Sequence, residues 1–259
     1  MCAGKSANAL VDQKARVLKK LFLTENLMSM TLELESPFRG VQAGQFVMLR
    51  TAPGFDPLLG RPFAFCGSTD NVVEILVAIT GRGTKLLSSL PAGENLSIRG
   101  PLGNGFPVSS VKKVICLAGG VGIAPFLPLG GGSQDFEFHL GVPGQRWKPL
   151  VEWVSRKVGN LTVYSDDGSI GLHGTPLLRL EKTDPLSESV WACGPNAMMK
   201  AVGTECVSRG IAAWISLETR MACGMGGCHG CVVKTVNGPL RACVDGPVFS
   251  VREVLWHDS

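Results

Sequence analysis

Four cysteines near the end of the chain restrict its possible folds more than any other feature. Three lie in Cys223-Gly-Met-Gly-Gly-Cys228-His-Gly-Cys231, and the fourth, Cys243, follows twelve positions later. A C-x4-C-x2-C spacing with a distant fourth cysteine is the plant-type ligand pattern of a [2Fe–2S] cluster. Three thiolates can converge from one loop only if it curls tightly, and its four glycines permit that curl. The sequence therefore predicts a [2Fe–2S] cluster bound by these four cysteines.

Two other uses of the cysteines fit less well. A structural zinc site usually combines paired C-x2-C units, whereas one spacing here is four residues. A disulfide framework is typical of small secreted domains, and we expect no secretory signal peptide on this 259-residue chain. Nine cysteines are present, and those outside the motif are scattered singly. This scatter favours free thiols in a reducing cytoplasm.

Charge and hydropathy argue against two classes of partner. The chain has 25 Lys+Arg and 21 Asp+Glu, and these charges are dispersed, which is unlike a nucleic-acid-binding surface or a polybasic anchor. The most apolar stretch, 114–129, is interrupted by glycine and proline. No apolar run reaches the ~18 residues of a membrane span. We therefore expect a globular protein that binds neither nucleic acid nor membrane.

The first half of the chain has the pattern of a small antiparallel barrel. Its apolar segments are short, turn residues separate them at close intervals, and no long helical pattern occurs between them. The expected strands are 15–23, 28–34, 45–50, 72–79 and 95–99.

Two segments of this half carry groups suited to phosphate. Arg61-Pro62-Phe63-Ala64 places a guanidinium beside a rigid turn, and guanidinium groups bind phosphate oxygens in pairs. Gly81-Arg82-Gly83-Thr84 precedes a helical pattern, so its backbone N–H groups are available to a second phosphate oxygen. Taken singly, each segment also fits a plainer reading, namely a surface ion-pair partner or an ordinary turn.

The second half alternates short apolar strands with helical patterns, which indicates a parallel sheet with crossover helices. A strand at 111–118 runs into Gly119-Gly120-Val121-Gly122, as a pyrophosphate cradle requires. Pro128 and Gly130–Gly132 predict that the following helix ends about one turn after Pro125. Further strands are expected at 136–140, 161–165 and 190–194, and helices at 147–158, 176–181 and 197–209.

The order of these segments, followed by Gly100-Pro101-Leu102-Gly103-Asn104-Gly105-Phe106, resembles the flavin domain of the ferredoxin reductase superfamily. The resemblance implies bound FAD, with an Arg-Pro-x-Ser segment along the flavin and Gly-Thr closing the phosphate site. This chain departs from the pattern at Ala64, where Ser is usual, and at Val77 and Ala78, where Tyr and Arg are common. The implied flavin-binding residues are Arg61, Pro62, Phe63, Ala64, Leu76, Val77, Ala78, Gly83 and Thr84.

The same resemblance implies a nicotinamide nucleotide site in the second half. A Cys-Gly-Pro segment in this superfamily lies where the nicotinamide approaches the flavin, which makes Cys193 the candidate catalytic residue. Gly119, Gly120 and Gly122 are the implied NAD-binding residues. A buried structural thiol is the alternative for Cys193. The segment 166–169 either contacts a ribose hydroxyl or forms a solvated turn.

With the C-terminal segment included, the chain resembles the electron-transfer subunits of NAD-dependent dihydroorotate dehydrogenase B. The segments Ser216–Gly224 and Cys243–Phe249 carry this resemblance. The implied fold is β plus α/β: a ferredoxin-reductase-like antiparallel β-barrel FAD domain (1–108), a parallel-sheet nucleotide domain (109–215) and a small C-terminal [2Fe–2S] domain (216–259). The implied function is a relay from an FMN-containing dihydroorotate dehydrogenase catalytic subunit, through the cluster and FAD, to NAD+. The implied assembly is a cytoplasmic heterotetramer that serves pyrimidine biosynthesis.

Two alternatives remain, one a related enzyme subunit and the other a protein of a different functional class. One is the flavin and iron–sulfur subunit of an NADH-dependent ferredoxin:NADP oxidoreductase or of a sulfide dehydrogenase. Some of those subunits have Asp as the first cluster ligand, and Cys223 argues against that form. The other is a non-enzymatic cluster carrier with a decayed nucleotide site, for which Ala64 and the shortened helix are the only support.

The residues around the cluster motif predict a docking surface for the partner. They are small or apolar: Met221, Ala222, Met225, Pro247, Val248 and Phe249. An exposed apolar patch usually marks an interface. The alternative is that Met225 and Phe249 pack beneath the loop as core.

Overall fold

The computed structural model describes residues 11–51, 58–107, 113–130 and 135–256. Some predictions therefore fall outside the described residues: the start of the 111–118 strand, the domain boundary at 108/109 and the glycines Gly131 and Gly132. None of the helices in the described ranges combines the length and apolarity that crossing a bilayer requires.

The first half forms the predicted barrel, which closes with six antiparallel strands in the order β1-β2-β5-β4-β3-β6. Side chains such as Phe65, Met28 and Ile75 fill its interior and are fully buried. Arg61–Ala64, expected as a turn, instead begins β4. A short helix, α1 (Arg82–Ser89), lies between the last two strands. The strands are β1 (Val11–Thr24), β2 (Leu27–Leu34), β3 (Phe46–Arg50), β4 (Arg61–Thr69), β5 (Val72–Ala78) and β6 (Asn95–Leu102).

The second half forms the predicted parallel sheet, extended by strands that the sequence did not reveal. The order is β10-β9-β8-β7-β11-β12-β15, and every pair except the last is parallel. The strands are β7 (Lys113–Gly119), β8 (Phe136–Val142), β9 (Leu161–Ser165), β10 (Leu172–His173), β11 (Glu188–Cys193), β12 (Ala212–Ser216) and β15 (Val248–Ser250). The strand order reverses between β7 and β11, and open α/β sheets bind ligands outside the carboxyl ends of their strands at such a point.

The helices of this half include two α-helices, α2 (Lys148–Ser155) and α3 (Asn196–Ser208), and 3₁₀ helices at Gly120–Leu129, Gln145–Trp147 and Pro176–Lys182. The helix after the glycine loop ends at Leu129, about one turn after Pro125, as predicted. It is a 3₁₀ rather than an α-helix, and it contains Pro125 and Pro128, which lack a backbone N–H. Gly130 terminates it with a φ of 69°.

The C-terminal segment is attached to both other parts of the molecule. It contains a hairpin of β13 (Val232–Thr235) and β14 (Gly238–Arg241). Strand β15 then pairs antiparallel with β12, at the edge of the nucleotide sheet. On the barrel side, the backbone N–H of Asn104 donates to the carbonyl oxygen of Gly246 at 2.6 Å. The cluster loop between these contacts is therefore held against the barrel and the sheet together.

A network of partly buried charges supports the 3₁₀ helix Pro176–Lys182. Arg179 donates to Glu137 at 3.0 Å and to Glu188 at 2.8 Å, and Lys113 also pairs with Glu137 at 3.0 Å. Burial acts to raise the pKa of Glu137, but the hydrogen bonds from Lys113 and Arg179 lower it overall, below its usual value of 4.5. The Glu137 carboxylate is therefore ionised at neutral pH and depends on the Lys113 and Arg179 cations.

Replacing Arg179 with methionine is expected to destabilise the protein by about 3 kcal/mol at pH 7, near the lower end for breaking a buried ion pair. The matched control is Arg16→Met, which removes the partner of Glu33 in an exposed pair and should cost under ~1 kcal/mol. Because the folded-state pKa of Glu137 is lowered, its contribution is present above its unfolded pKa and is lost as the pH falls through the folded value. Urea unfolding between pH 7 and 3.5 should therefore show a steeper acid loss in the parent than in R179M. Equal losses for R179M and R16M at pH 7 would contradict this assignment.

Candidate functional site

The four motif cysteines are arranged as two pairs. Cys228 lies close enough to Cys223 to lower the pKa of its thiol, and Cys231 lies close enough to Cys243 to raise the pKa of its thiol, an effect to which Cys223 also contributes. In the described part of the chain, no three potential ligands converge as a single metal ion would require. Two adjacent pairs are what a [2Fe–2S] cluster needs, because each of its irons takes two protein thiolates. The arrangement of the thiols therefore fits the predicted cluster.

The backbone of the loop points N–H groups at three of the sulfurs. The N–H of Met225 lies 3.4 Å from Cys223 Sγ, that of Gly226 lies 3.2 Å from Cys243 Sγ, and that of Gly230 lies 3.4 Å from Cys228 Sγ. Gly224 and Gly226 have φ of 69° and 83°, a region that glycine enters without strain. The glycines thus provide the curvature that the sequence implied, and the curvature directs the donors.

The two ends of the cluster site differ electrostatically. The N–H of Met225, followed by contacts from Cys228 and Gly227, lowers the pKa of Cys223 to about 6. Desolvation, reinforced by the neighbouring Cys231, raises the pKa of Cys243. Cys228 is exposed, whereas Cys231 and Cys243 are 2% exposed. One pair therefore lies towards the surface and the other lies within the fold.

A cavity of about 310 Å³ lies between the barrel, the nucleotide sheet and the cluster segment. Seven of the nine predicted flavin-binding residues line it: Arg61, Pro62, Phe63, Ala64, Leu76, Ala78 and Thr84. Val77 does not, because its side chain is fully buried in the barrel core. Gly83 lies directly beneath Arg61 instead of lining the wall. The cavity walls are mostly apolar, as suits a flavin ring.

Arg61 and the start of α1 form the polar end of this cavity. A Cβ placed on Gly83 would lie 2.2 Å from Arg61 Nε, so the guanidinium lies against the glycine backbone. Arg61 Nη1 also donates to the carbonyl oxygen of Leu59. Thr84 Oγ1 accepts from the backbone N–H groups of Thr80 and Gly81 at 3.0 and 3.1 Å. The Arg61 guanidinium and the start of α1, which meet closely because position 83 has no side chain, form a phosphate cradle that fits the pyrophosphate of FAD.

A second cavity, of about 610 Å³, lies at the carboxyl ends of the parallel strands. Gly119 and Gly120 line it together with Trp147, Asp166 and Pro195. Its position at the reversal of strand order is the expected place for a nucleotide. Gly122 lines the flavin cavity instead of this one.

Close backbone packing joins the two cavities at Cys193. A Cβ on Gly122 would lie 2.2 Å from the carbonyl oxygen of Cys193, so only glycine permits this approach. The Cys193 thiol is buried but lines the flavin cavity. Desolvation raises its pKa to about 12, although Ser216 hydrogen-bonds it. Cys193 is therefore a neutral thiol at physiological pH, placed where the two cavities meet.

Several cavity residues were missed in the sequence analysis. Glu218 borders both cavities, and desolvation there raises its carboxyl pKa. Met221 and Pro247, from either side of the cluster motif, line the flavin cavity. Their sequence contexts carry no flavin-binding motif. Strand β12 leads into Glu218 and Met221, and the pairing of β15 with β12 brings Pro247 beside them.

The chain matches two family models. Residues 14–106 match an oxidoreductase FAD-binding domain, and residues 218–255 match the iron–sulfur cluster binding domain of dihydroorotate dehydrogenase B. The chain thus contains an FAD-binding and an iron–sulfur domain, in the order predicted.

Relatives and solved structures extend these matches. The NAD(+) dihydroorotate dehydrogenase B electron transfer subunit of Clostridium acetobutylicum is 36% identical over 84% of this chain and 88% of its own length. That of Clostridium perfringens is 34% identical over 93% and 97%. A structure of an NADH-dependent reduced ferredoxin–NADP oxidoreductase superposes with a TM-score of 0.79 at 27% identity, covering 93% of this chain and 90% of that one. An Amycolatopsis cytochrome P450 reductase, with a TM-score of 0.66 at 23% identity over 80% and 69% of the two chains, shares the fold. On this similarity, the chain belongs to the family of dihydroorotate dehydrogenase B electron transfer subunits.

Proposed function

We propose that this protein accepts electrons from an FMN-containing subunit that oxidises dihydroorotate, and delivers them to NAD+. The observation that carries the proposal is the order of the sites: the flavin cavity is bordered by the cluster segment on one side and by the nucleotide cavity on another. When bound, the cluster supplies one-electron transfer, and FAD couples single electrons to two-electron hydride chemistry. The overall reaction converts dihydroorotate and NAD+ to orotate, NADH and a proton.

Different residues of the chain serve the cluster, flavin and nicotinamide parts of this relay. Met221, two positions before Cys223, lines the flavin cavity, so the cavity extends to the segment that leads into the cluster loop. Arg61 and Gly83 hold the pyrophosphate end. Gly122 and Cys193 form the wall at which the nicotinamide meets the flavin. We assign NAD rather than NADP because the relatives are named for NAD(+).

We also propose the site of the partner. Among the residues predicted to form the docking surface, Pro247, Val248 and Phe249 are buried. Pairing of Phe249 with Ile215 places it in the core. The alternative reading, core packing of Met225 and Phe249, is therefore correct for Phe249 and wrong for Met225, whose side chain is exposed. Met225 is 46% exposed, and Val232 and Val244 are 42% and 40% exposed. This apolar rim of the cluster loop (Met225, Val232 and Val244) is the proposed docking surface.

The likeness to the NADH-dependent reduced ferredoxin–NADP oxidoreductase supports a second candidate, in which ferredoxin or another carrier replaces the dihydroorotate-oxidising subunit. All four ligands are cysteine in this chain. Higher identity to the dihydroorotate dehydrogenase B relatives favours the first function. In either case four buried free thiols, at Cys66, Cys116, Cys193 and Cys206, suit a reducing cytoplasm.

Replacing Met225 with glutamate is expected to prevent assembly with the FMN subunit, because the carboxylate would be buried without a partner at an apolar contact. The experiment co-expresses the chain with a dihydroorotate-oxidising FMN subunit and follows NADH formation from dihydroorotate, together with co-purification. The parent should form a heterotetramer that makes NADH, and M225E should keep its cluster and flavin spectra while losing both partner and activity. Val236→Glu, at another exposed apolar position (59%), is the matched control and should assemble normally.

Two outcomes would overturn these assignments. A parental complex that oxidises dihydroorotate with a dye but forms no NADH, while the chain alone reduces ferredoxin, would replace the first function by the second. Normal assembly of M225E would move the docking surface elsewhere and leave the relay itself in place.

A further inference from the structure

One barrel residue reaches directly into the cluster loop. Arg99, on β6, donates from Nη1 to the carbonyl oxygen of Cys223 at 3.1 Å, across 124 residues of sequence. Met48 is its cross-strand neighbour on β3, and a Cβ on Gly224 would lie 2.7 Å from Met48 Cγ. The cluster loop therefore contacts the barrel at the paired residues Arg99 and Met48, and the Arg99 guanidinium lies at this contact.

A carboxylate fixes that cation. Asp12, paired with Arg99 in the β1–β6 register, accepts from Arg99 Nε at 2.7 Å and from Nη2 at 2.5 Å. This two-point contact leaves Nη1 for the cluster loop and sets the plane of the guanidinium. The Arg99 side chain is 27% exposed and that of Asp12 is 56% exposed. Water therefore screens the carboxylate more than the cation.

The Arg99 cation lies nearer the cluster loop than the Asp12 carboxylate, and this order affects the reduction potential of the cluster. Reduction adds one negative charge, and a partly buried cation close by stabilises the reduced form more than the oxidised form. The Asp12 carboxylate opposes this effect from farther away, on the opposite side of the guanidinium. Hydrogen bonds, net charge and solvent exposure are the general determinants of iron–sulfur reduction potentials. Removing the two charges should therefore move the potential in opposite directions.

We propose that Arg99 is a positioning residue that raises the reduction potential of the cluster, and that the negative charge of Asp12 moderates this effect. This proposal rests on the proposed function, because it concerns the centre through which the electrons pass. If the hydrogen bond from Arg99 to Cys223 only held the loop in place, its loss would affect cluster retention without shifting the reduction potential. The two roles are therefore separable by measurement.

The test is a reductive titration of the complete, cluster-loaded protein, followed by electron paramagnetic resonance. The variants are R99Q and D12N. R16Q is the matched control because Arg16 also forms an ion pair on the barrel, with Glu33. Arg16 lies four residues from Asp12 along β1, which is about 13 Å at ~3.3 Å per residue. The expected result is a lower midpoint potential in R99Q, a higher one in D12N and an unchanged one in R16Q.

Three results would overturn the proposal: an R99Q potential equal to that of R16Q, shifts of R99Q and D12N in the same direction, or an unshifted D12N. If R99Q fails to retain its cluster, D12N decides alone, since it keeps the cation. The titration needs neither the FMN subunit nor NAD+. If the potentials did not shift as expected, the proposed electron relay would be unaffected. If the relay were disproved, the measured potentials would still test the role of Arg99.

Discussion

Replacing Cys231 with alanine is expected to abolish the cluster while the FAD-binding barrel stays folded. Cys231 is 2% exposed and its thiol pairs with that of Cys243, so the substitution removes one of the two thiolates that one iron requires. Loss of a residue that only supports a ligand costs about 10–100-fold in metal affinity. Loss of a ligand should cost more affinity than that, so the purified variant should contain almost no iron. The parent should contain iron and acid-labile sulfide in equal amounts.

The measurement combines iron and sulfide analysis with the electron paramagnetic resonance signal of the reduced protein. Cys206→Ala is the matched control, because Cys206 is equally buried and free but lies on α3, away from the loop. C206A should keep the full signal. Stoichiometric zinc without labile sulfide in the parent would refute the cluster assignment, and a full cluster in C231A would remove Cys231 from the ligand set.

The convergence of the four motif cysteines could be predicted from the sequence because its information is local. Three of the four lie within nine residues, and the spacing and glycines follow from the geometry of one loop. The strand Leu161–Ser165 was predicted with its observed bounds for a similar reason: a short apolar run is bounded by Asn160, with a φ of 46°, and by a polar turn. Gly119 likewise marks a close approach of the backbone, since a Cβ there would lie 2.6 Å from Pro195 Cδ.

Other features could not be predicted, because they form only through strand pairing between distant parts of the chain. Strand β15 has three residues, and only its partner β12 makes it a strand. The same pairing buries Phe249, which was expected at the surface. Glu218 and Met221 are ordinary in their local context, and they become cavity residues because they follow β12, which pairs with β11 in the nucleotide sheet. The residues that join the three sites were thus the least visible in the sequence.

Replacing Arg61 with alanine is expected to lower FAD affinity about 10–100-fold. A charge-assisted contact of its kind contributes about 1.5–3 kcal/mol, and each ~1.4 kcal/mol is tenfold in Kd. Flavin retained after dialysis and the Kd of the re-added flavin, by fluorescence quenching, give the result. Arg16→Ala, on the same barrel and in an exposed ion pair, should bind FAD like the parent.

Replacing Gly83 with alanine tests the same cradle without removing the charge. The added Cβ would lie 2.2 Å from Arg61 Nε and 2.3 Å from Cζ, so the guanidinium must swing away from the helix start. Arg61 is flexible at that end, and alanine is favoured over glycine in a helix by about 1 kcal/mol. G83A should therefore be at least as stable as the parent in thermal unfolding without flavin, yet bind FAD at least tenfold more weakly.

Gly81→Ala is the matched control for G83A, two residues away in the same turn. Its φ of −151° suits any residue, and a Cβ there would meet no atom within 4 Å. G81A should bind FAD like the parent. If G83A and G81A bound FAD equally well, Arg61 would not hold the pyrophosphate from its position over Gly83. If G83A lost stability together with flavin, the effect would belong to the fold of α1. Weak binding in a stable G83A, beside normal binding in G81A, would locate the phosphate contact at the guanidinium itself.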